Sequence, residues 1–251
     1  MTAETGGAWA TVRLGEDLAA VARGAGRRGR VAVRADRRRS LKDAVESCGV
    51  PHTEVDLLLV DGASARLDAR VRPGTWIDAL GWWDPQPRIA SRVRPTPPPA
   101  PRFLLDVHLG RLAERLRLLG LDADRPGDVP DRELAERSAH EQRWLLTRDR
   151  GLLMRRVVVH GYLVRAHVPD AQLPEVVTRF GLAQAAAPRS RCAACNGPLA
   201  SVAKAEVADR LEPGTRAAFD AFSRCERCGK VYWRGAHDAG LQRILDAVRA
   251  R

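Results

Sequence analysis

Four cysteines near the C-terminal end of the chain are spaced as two metal-binding knuckles. They form two Cys-x-x-Cys pairs, 192–195 and 225–228, with 29 residues between them. Two such pairs supply four thiolates to a tetrahedral Zn²⁺ site, which leaves no coordination position for water. A glycine follows each pair and suits the tight turn of a knuckle. The pattern predicts a structural zinc ribbon with an inserted segment between its knuckles and with these ligands: Cys192, Cys195, Cys225 and Cys228.

Disulfide bonds and a redox-active pair are the alternatives for these cysteines. The segment Met1–Gly7 has no basic stretch followed by an apolar core, so no secretory signal is expected and the expected compartment is the cytoplasm. Disulfides are disfavoured in that compartment, and pairing would leave a fifth cysteine, Cys48, over. A single redox pair would not explain two copies of the motif.

Two short apolar stretches in the middle of the chain each lead into an aspartate. Phe103–Leu105 is followed by Asp106, and Trp144–Thr147 runs through Arg148 to Asp149. Ligands of open α/β sheets bind outside the carboxyl ends of the strands, so the two carboxylates are expected to converge. Clustered carboxylates suit Mg²⁺ or Mn²⁺, which can polarise a phosphodiester bond. The alternative for each aspartate is a cap of the turn or helix that follows.

The elements that would carry these aspartates alternate between strands and helices. Leu109, Leu112 and Leu116 recur at helical spacing after the first of the two stretches. Another helix begins at Asp131, and residues 162–164 form a further apolar strand. The alternation predicts a mostly parallel sheet covered by helices, which is the α/β class.

The first 85 residues carry a different pattern. Strands are expected at 9–14 and 30–34, followed by a helix whose start is marked by a capping box of Ser40 and Asp43. Three more strands are expected between residues 55 and 80. The predicted order of this region is ββαβββ.

Prolines mark the boundary after this region. Of the 16 prolines, 7 lie between Pro85 and Pro101 and predict a stiff, extended spacer. A second change in composition comes just before the cysteine pairs. The sequence thus predicts five segments: 1–94, a linker at 95–101, 102–187, a zinc ribbon at 188–240, and a C-terminal helix or tail at 241–251.

Composition limits the classes of function. The chain has 251 residues, of which 45% are hydrophobic and 29% charged, as is typical of a globular protein. No apolar stretch approaches the roughly 18 residues of a membrane-spanning helix, so no membrane span is expected. The net charge of +11 is compatible with nucleic acid. Only three of the 42 basic residues are lysines, and such a bias makes the arginine content weak evidence for any partner.

The N-terminal region resembles the ubiquitin-like β-grasp domain of the sulfur-carrier type. The resemblance rests on the ββαβββ order and on residues 49–55 leading into residues 58–62. Such carriers end in a Gly-Gly tail that is activated as a thiocarboxylate. The corresponding residues here, 81–85, are Gly-Trp-Trp-Asp-Pro, and the chain continues beyond them. Carrier chemistry is therefore not expected, whereas docking of a protein partner or guiding of a substrate is.

The region from 102 to 238 is similar to the Mut7-C RNase family, whose nuclease domain has a PIN-like, three-layer α/β fold. The matching stretches are Phe103–Asp106, Leu109–Ala113 with Leu116–Asp122, Leu145–Asp149 and Gln172–Leu173, followed by both cysteine pairs. The N-terminal region is similar to the ubiquitin-like domain fused to bacterial members. The implied fold class is α/β, with an N-terminal β-grasp domain, a PIN-like nuclease domain and a C-terminal zinc ribbon.

The resemblance also implies site residues. Asp106 and Asp149 become catalytic acids that bind Mg²⁺ or Mn²⁺, and Asp131 is the best third carboxylate. Other aspartates lie close in sequence and stay open as alternatives to Asp131: Asp122, Asp124 and Asp128.

Basic and aromatic residues lie beside both sites. Aromatic rings stack on unpaired bases and basic side chains hold phosphates. The predicted RNA contacts are Arg148, Lys230, Trp233, Arg234 and His237. The alternatives are a surface or salt-bridge role for Arg148 and a place for Trp233 in the final strand of the ribbon.

Two functions from different classes follow. The first is a metal-dependent ribonuclease that hydrolyses RNA phosphodiester bonds at an Asp-bound Mg²⁺ or Mn²⁺ site, with a zinc ribbon that assists RNA binding. The second is a non-catalytic RNA-binding or adaptor protein in which the aspartates are caps. A third, a sulfur-transfer accessory protein, is disfavoured because the Gly-Gly tail is missing.

Overall fold

The computed structural model describes residues 9–36, 38–85, 91–95, 100–182, 184, 187–188 and 190–233. The chain divides into two compact units. The first unit contains the described part of residues 1–98 together with residues 131–163, and the second contains the described parts of 99–130 and 164–251. Residues 131–163, which the sequence assigns to the nuclease domain, thus group with the N-terminal region. The domain boundaries drawn from the sequence stay predictions.

The chain alternates between short strands and short helices, and the predicted α/β class is confirmed. In chain order the elements are β1 (Trp9–Leu14), α1 (Glu16–Val21), β2 (Arg30–Arg34), α2 (Leu41–Ser47), β3 (Leu57–Val60), β4 (Ala63–Ser64), β5 (Trp76–Leu80), β6 (Phe103–Leu105), α3 (Gly110–Leu118), β7 (Ala123–Asp124), α4 (Asp131–His140), β8 (Trp144–Thr147), α5 (Arg150–Leu153), β9 (Gly161–Leu163), α6 (Pro169–Phe180), β10 (Leu199–Val202), α7 (Pro213–Ala218), β11 (Phe222–Cys225) and β12 (Val231–Trp233). No helix among the described residues is long and apolar enough to cross a membrane.

The N-terminal part of the first unit is a five-stranded sheet of order β2-β1-β5-β3-β4. Strand β1 pairs antiparallel with β2 and parallel with β5, so the first and last strands lie side by side as in a β-grasp domain. Helix α2 begins with the predicted capping box, because Ser40 Oγ accepts from Asp43 N at 3.1 Å and the Asp43 carboxylate accepts from Ser40 N at 3.0 Å. Its buried face consists of Leu41, Ala44 and Val45.

The predicted order ββαβββ is wrong in one respect, because helix α1 lies between the first two strands. Gly15 precedes this helix and has no side chain to cap it. The cap comes instead from Asp84, whose Oδ1 accepts from Asp17 N at 3.1 Å and whose Oδ2 accepts from Gly81 N at 2.7 Å. Gly15 leaves room for that carboxylate, since a Cβ there would lie 2.0 Å from Asp84 Oδ2. A cap supplied from so far along the chain leaves no local signal.

The rest of the first unit consists of α4, β8, α5 and β9. Strands β8 and β9 are parallel, with Leu145 opposite Gly161 and Thr147 opposite Leu163. All four residues of β8 are buried. The chain leaves this strand at Thr147 and enters α5 two residues later, which places Asp149 at a strand-to-helix junction.

The second unit contains a parallel pair of strands and an antiparallel sheet. Phe103 of β6 lies opposite Ala123 of β7, and the buried strand β6 ends directly before Asp106. The antiparallel sheet has the order β10-β11-β12 and carries the cysteine pairs at its ends. The segment between the pairs builds a small core of its own from Val207, Leu211 and Phe222.

Candidate functional site

The four paired cysteines converge on one point. Their Sγ atoms all lie within 4.8 Å of one another, with Cys192 3.6 Å from Cys228 and Cys195 3.5 Å from Cys225. A tetrahedral zinc site with Zn–S bonds of about 2.3 Å has sulfur–sulfur edges of about 3.8 Å. These separations are far too long for disulfide bonds, and all five cysteines are free thiols. The four sulfurs therefore fit a zinc ion.

Backbone turns shape both cysteine pairs into knuckles. Asn196 N donates to Cys192 O at 2.9 Å and Gly229 N donates to Cys225 O at 2.9 Å, which closes one turn around each pair. Gly229 has a φ of 75° and Asn196 a φ of 66°. The positive φ of Gly229 explains why a glycine follows the second pair. In the first knuckle an asparagine takes the left-handed position, and asparagine tolerates it better than most residues.

The thiols differ in acidity. Burial disfavours the Cys192 thiolate, but hydrogen bonds from the Tyr232 hydroxyl, 3.1 Å away, and from the Cys195 backbone lower the pKa of Cys192 to about 6. Burial raises the pKa of the neighbouring Cys195 thiol to about 12. Adjacent thiols cannot all ionise in a partly buried cluster without a counter-charge. A Zn²⁺ ion at this cluster would supply that charge and allow four thiolates.

The first knuckle is bonded to the strand and helix that precede it in the second unit. Asn196 Nδ2 donates to Asp122 Oδ1 at 2.7 Å, and Asn196 Oδ1 accepts from Ala123 N at 3.2 Å. Arg191 Nη2 lies 3.4 Å from Asp122 Oδ2. Asp122, one of the alternatives to Asp131, is therefore bonded to the first cysteine knuckle. The knuckle in turn holds strand β7, which begins at Ala123.

Arg117 forms a second link between this knuckle and helix α3. Its guanidinium donates to the carbonyl oxygens of Ala123 at 2.6 Å, Ala194 at 2.9 Å and Ala193 at 3.1 Å. The residue is 5% exposed, and burial lowers the pKa of its guanidinium. Three charge-assisted hydrogen bonds compensate for the loss of hydration. One buried cation thus connects α3, β7 and the cysteine knuckle.

The first predicted catalytic acid, Asp106, lies at the carboxyl end of β6 in the second unit. It is 7% exposed, and its Oδ1 accepts from His108 N at 2.8 Å. That bond caps the 3₁₀ turn at Val107–Leu109, which leads into α3. Asp106 is therefore a strand-end residue, as predicted, and it also performs the capping role that the sequence offered as the alternative.

The other two predicted acids, Asp149 and Asp131, lie in the first unit. Asp149 follows β8, and its Oδ1 accepts from Gly151 N at 2.7 Å, so it caps α5. Among the described residues, no hydrogen bond reaches its Oδ2, and the side chain is exposed. Asp131 is the first residue of α4, and its Oδ2 lies 3.7 Å from Arg155 Nη2. Asp149 is thus an exposed residue that caps α5 through its Oδ1.

The predicted RNA contacts fall into two groups. Arg148, Lys230 and Trp233 are exposed, and Trp233 retains 40% of its surface. Trp233 ends strand β12 and contacts Phe219 at a ring separation of 6.4 Å, so it is both a strand residue and an accessible ring. Arg234 and His237 lie outside the described residues, as do residues 241–251 of the predicted C-terminal helix or tail.

Comparison with protein families settles the relationship of the chain. The model of the Mut7-C RNAse domain matches residues 101–245, which is more than half of the chain. The chain belongs to the Mut7-C RNase family. The Mut7-C ubiquitin model matches residues 7–82, which confirms the predicted ubiquitin-like domain. Neither the comparison with curated proteins nor the comparison with solved structures finds a match.

Several residues of this Mut7-C chain were not singled out in the sequence. Arg117 and Asn196 bond the first cysteine knuckle to the rest of the second unit. Arg150, directly after Asp149, contacts the Mut7-C ubiquitin domain. Two features of the sequence could have indicated Arg117 and Asn196. One is an arginine directly after Leu116 in an apolar helix, and the other is an asparagine directly after a Cys-x-x-Cys pair. Both are weak, because many surface helices and turns contain such residues.

Proposed function

We propose that this chain is a metal-dependent ribonuclease that hydrolyses RNA phosphodiester bonds, with Asp106 and Asp149 as cation ligands and Asp131 as the third carboxylate. The observation that carries the proposal is the Mut7-C RNAse match over residues 101–245, which contains these aspartates. The proposal is supported by their local placement, since Asp106 and Asp149 each follow a buried strand of a parallel pair.

Carboxylate oxygens are the donors that Mg²⁺ and Mn²⁺ prefer. When bound, such a cation polarises the phosphodiester and acidifies a water molecule. The chain's own contribution is positional. Asp106 is fixed by its bond to His108 N and Asp149 by its bond to Gly151 N, so each carboxylate has one oxygen oriented by the backbone. Arg148, exposed beside Asp149, is suited to hold a phosphate of the substrate.

A non-catalytic RNA-binding or adaptor protein is the second candidate. A specific observation favours it, because the carboxylates of Asp106 and Asp149 both cap the element that follows their strand. A cap explains an aspartate at these positions without any metal. Binding of Mn²⁺ separates the two candidates, since an adaptor has no need of a divalent-ion site.

Cleavage of end-labelled single-stranded and hairpin RNA by zinc-loaded protein tests the proposal. We expect cleavage with Mg²⁺ or Mn²⁺ and none with EDTA. We expect Asp106→Asn and Asp149→Asn to reduce the cleavage rate at least about 100-fold, because an amide cannot replace a carboxylate that neutralises the cation. Electron paramagnetic resonance of free Mn²⁺ measures in parallel whether each variant has lost the site.

The matched control is Asp209→Asn, which neutralises an exposed aspartate of the second unit. It is expected to cleave at the rate of the unsubstituted protein. If the unsubstituted protein binds no Mn²⁺ and leaves every RNA intact, the ribonuclease proposal is wrong and the adaptor takes its place. A ladder that starts from the labelled end or from internal positions also shows whether cleavage is exo- or endonucleolytic.

The zinc ribbon is proposed to assist RNA binding through the exposed ring of Trp233. Stacking of one base on an aromatic side chain contributes about 1–3 kcal/mol, so Trp233→Ala is expected to weaken binding of single-stranded RNA about 5- to 150-fold. Fluorescence anisotropy of labelled RNA measures the dissociation constant. Trp83→Ala, which removes a 54% exposed tryptophan of the other unit, is the control. If both variants bind RNA with equal affinity, Trp233 is a structural residue of β12 and does not contribute to RNA binding.

A further inference from the structure

The N-terminal ubiquitin-like domain contacts the segment that directly follows Asp149. Within the first unit, residues 150–163 comprise α5, β9 and the loop between them. We call the following residues of the ubiquitin-like domain, which make polar contacts with this segment, the docking face: Val21, Lys42, Gly49, His52 and Glu54.

Arg150 makes the contact closest to the candidate catalytic acid. Its Nη1 donates to the carbonyl oxygens of Val21 and, at 3.1 Å, of Gly49. Val21 ends helix α1, and Gly49 lies just beyond the end of α2. Carbonyls at a helix C-terminus lack intrahelical partners and carry partial negative charge, so a cation there is stabilising. Neither helix has a basic residue in its own last turn, and Arg150 supplies that charge to both.

The far end of the segment is fixed by buried polar contacts. Glu54 is 3% exposed, and its Oε1 accepts from Leu163 N, in the last residue of β9, at 2.6 Å. His52 is 5% exposed, and its Nε2 lies 3.0 Å from Val158 O. Buried polar groups of this kind are costly unless paired, so these contacts specify one docked arrangement.

A hydrogen bond from Lys42 and the close approach of Gly161 also join the ubiquitin-like domain to residues 150–163. Lys42 Nζ donates to Met154 O, at the end of α5, at 3.2 Å. Gly161 lies close to both sides of the contact, because a Cβ there would lie 2.6 Å from Leu153 Cδ2 and 3.4 Å from Thr53. The β9 backbone therefore lies directly against the ubiquitin-like domain. The segment is held at its beginning, middle and end.

We propose that the ubiquitin-like domain is a fixed part of the nuclease that positions Asp149, with Arg150 as the positioning residue. Asp149 lies between buried strand β8 and helix α5, and the next residue is bonded to two helix ends of the docking face. This arrangement restricts the backbone on both sides of the carboxylate. A shift of about 1 Å in a reacting group can cost about 100-fold in rate, so such restriction has catalytic value. The inference depends on the proposed function only for the role of Asp149.

The test uses the zinc-loaded full chain with Arg150→Met, which retains the aliphatic stem and removes the donors. Hydrogen exchange of peptides covering 150–163 is expected to become about tenfold faster or more, because the segment opens locally. The kcat of RNA cleavage is expected to fall about tenfold or more, while the Kd for RNA changes less than about twofold. Lys42→Met removes a donor from the ubiquitin-like side of the contact. It is also expected to speed hydrogen exchange of 150–163 and to lower kcat. Arg150→Lys, which retains a cationic donor, is expected to restore part of both readouts.

The matched control is Arg156→Met, the same substitution at an exposed arginine of the same segment. If Arg150→Met and Lys42→Met both match this control in exchange and in kcat, the inference is overturned. Faster exchange with unchanged kcat would overturn the positioning role. If Arg150→Met does not fold, hydrogen exchange and kcat of Lys42→Met test the inference in its place. If the unsubstituted protein cleaves no RNA, the proposed function fails, whereas the exchange measurement still tests the docking contact.

Discussion

Loss of the zinc ligands is expected to unfold the ribbon of the second unit and to loosen strand β7. Cys225→Ser removes a buried thiol from a four-sulfur cluster, and the remaining thiols, whose sulfurs lay within 4.8 Å of one another, lose their shared cation. Apparent binding energies of structural zinc are about 10–16 kcal/mol, so the free energy of unfolding is expected to fall by at least about 5 kcal/mol. For a chain of this size that corresponds to about 10–20 °C in Tm.

The effect is expected to extend beyond the ribbon. The first knuckle bonds to Ala123 N through Asn196 and to Arg117 through two carbonyls, so its collapse removes partners from β7 and α3. Strand β7 pairs with β6, which leads into Asp106. Atomic absorption measures the zinc content, and circular dichroism follows unfolding. We expect one zinc ion per chain before the substitution and almost none after it.

Cys48→Ser is the matched control for this experiment. Cys48 is 2% exposed, and burial raises the pKa of its thiol to about 11, as expected for a core residue rather than a metal ligand. The variant is expected to retain a full equivalent of zinc. A Cys225→Ser protein that still contained that equivalent and melted with the unsubstituted chain would contradict the four-cysteine site.

Replacement of Arg117 by methionine is expected to destabilise the second unit by about 3–5 kcal/mol. Methionine fills much of the space of the aliphatic stem but leaves the carbonyls of Ala123, Ala193 and Ala194 without their donor. Loss of a buried, hydrogen-bonded charge has this typical cost. Urea unfolding of the zinc-loaded protein measures the change. Zinc is expected to bind less tightly to the variant, because the knuckle is no longer held in place.

Arg111→Met makes the same substitution at an exposed position of the same helix. It is expected to change the free energy of unfolding by less than about 0.5 kcal/mol. If the two arginine variants unfold at the same urea concentration and compete equally for zinc with a chelator, Arg117 does not couple the helix to the knuckle.

The sequence left two roles open for Asp106 and Asp149, helix capping and cation binding. The two roles differ in the sequence separation of the groups that they involve. Capping by Asp106 and Asp149 involves backbone amides two residues away. A short-range role of this kind is implied by an aspartate at the start of a turn or helix. A cation site requires carboxylates from separate parts of the chain, and strand ends alone do not specify it. The proposed ribonuclease function accordingly depends on the family relationship and not on spacing.

The contrast between α2 and α1 shows why some elements were predictable. Helix α2 is capped by Ser40 and Asp43, which are adjacent in sequence to the helix they stabilise. Helix α1 depends on Asp84, in the region that would be the reactive tail of a sulfur carrier. In this chain that region is folded back, and its aspartate serves as a cap. The missing Gly-Gly tail was visible in the sequence, whereas its replacement by a structural contact was not.

The sequence alone determined which four cysteines cluster, the capping box of α2 and the buried strands that precede Asp106 and Asp149. Each of these depends on residues a few positions apart, so spacing and periodicity reveal them. Only the tertiary structure decided that Arg117 and Asn196 bond the knuckle to α3 and β7, and that Arg150 bonds to the ubiquitin-like domain. Those contacts join residues 70 or more positions apart through backbone carbonyls and amides. Almost every residue has such groups, because only proline lacks the amide N–H. The amino-acid types therefore do not indicate which backbone groups form these hydrogen bonds.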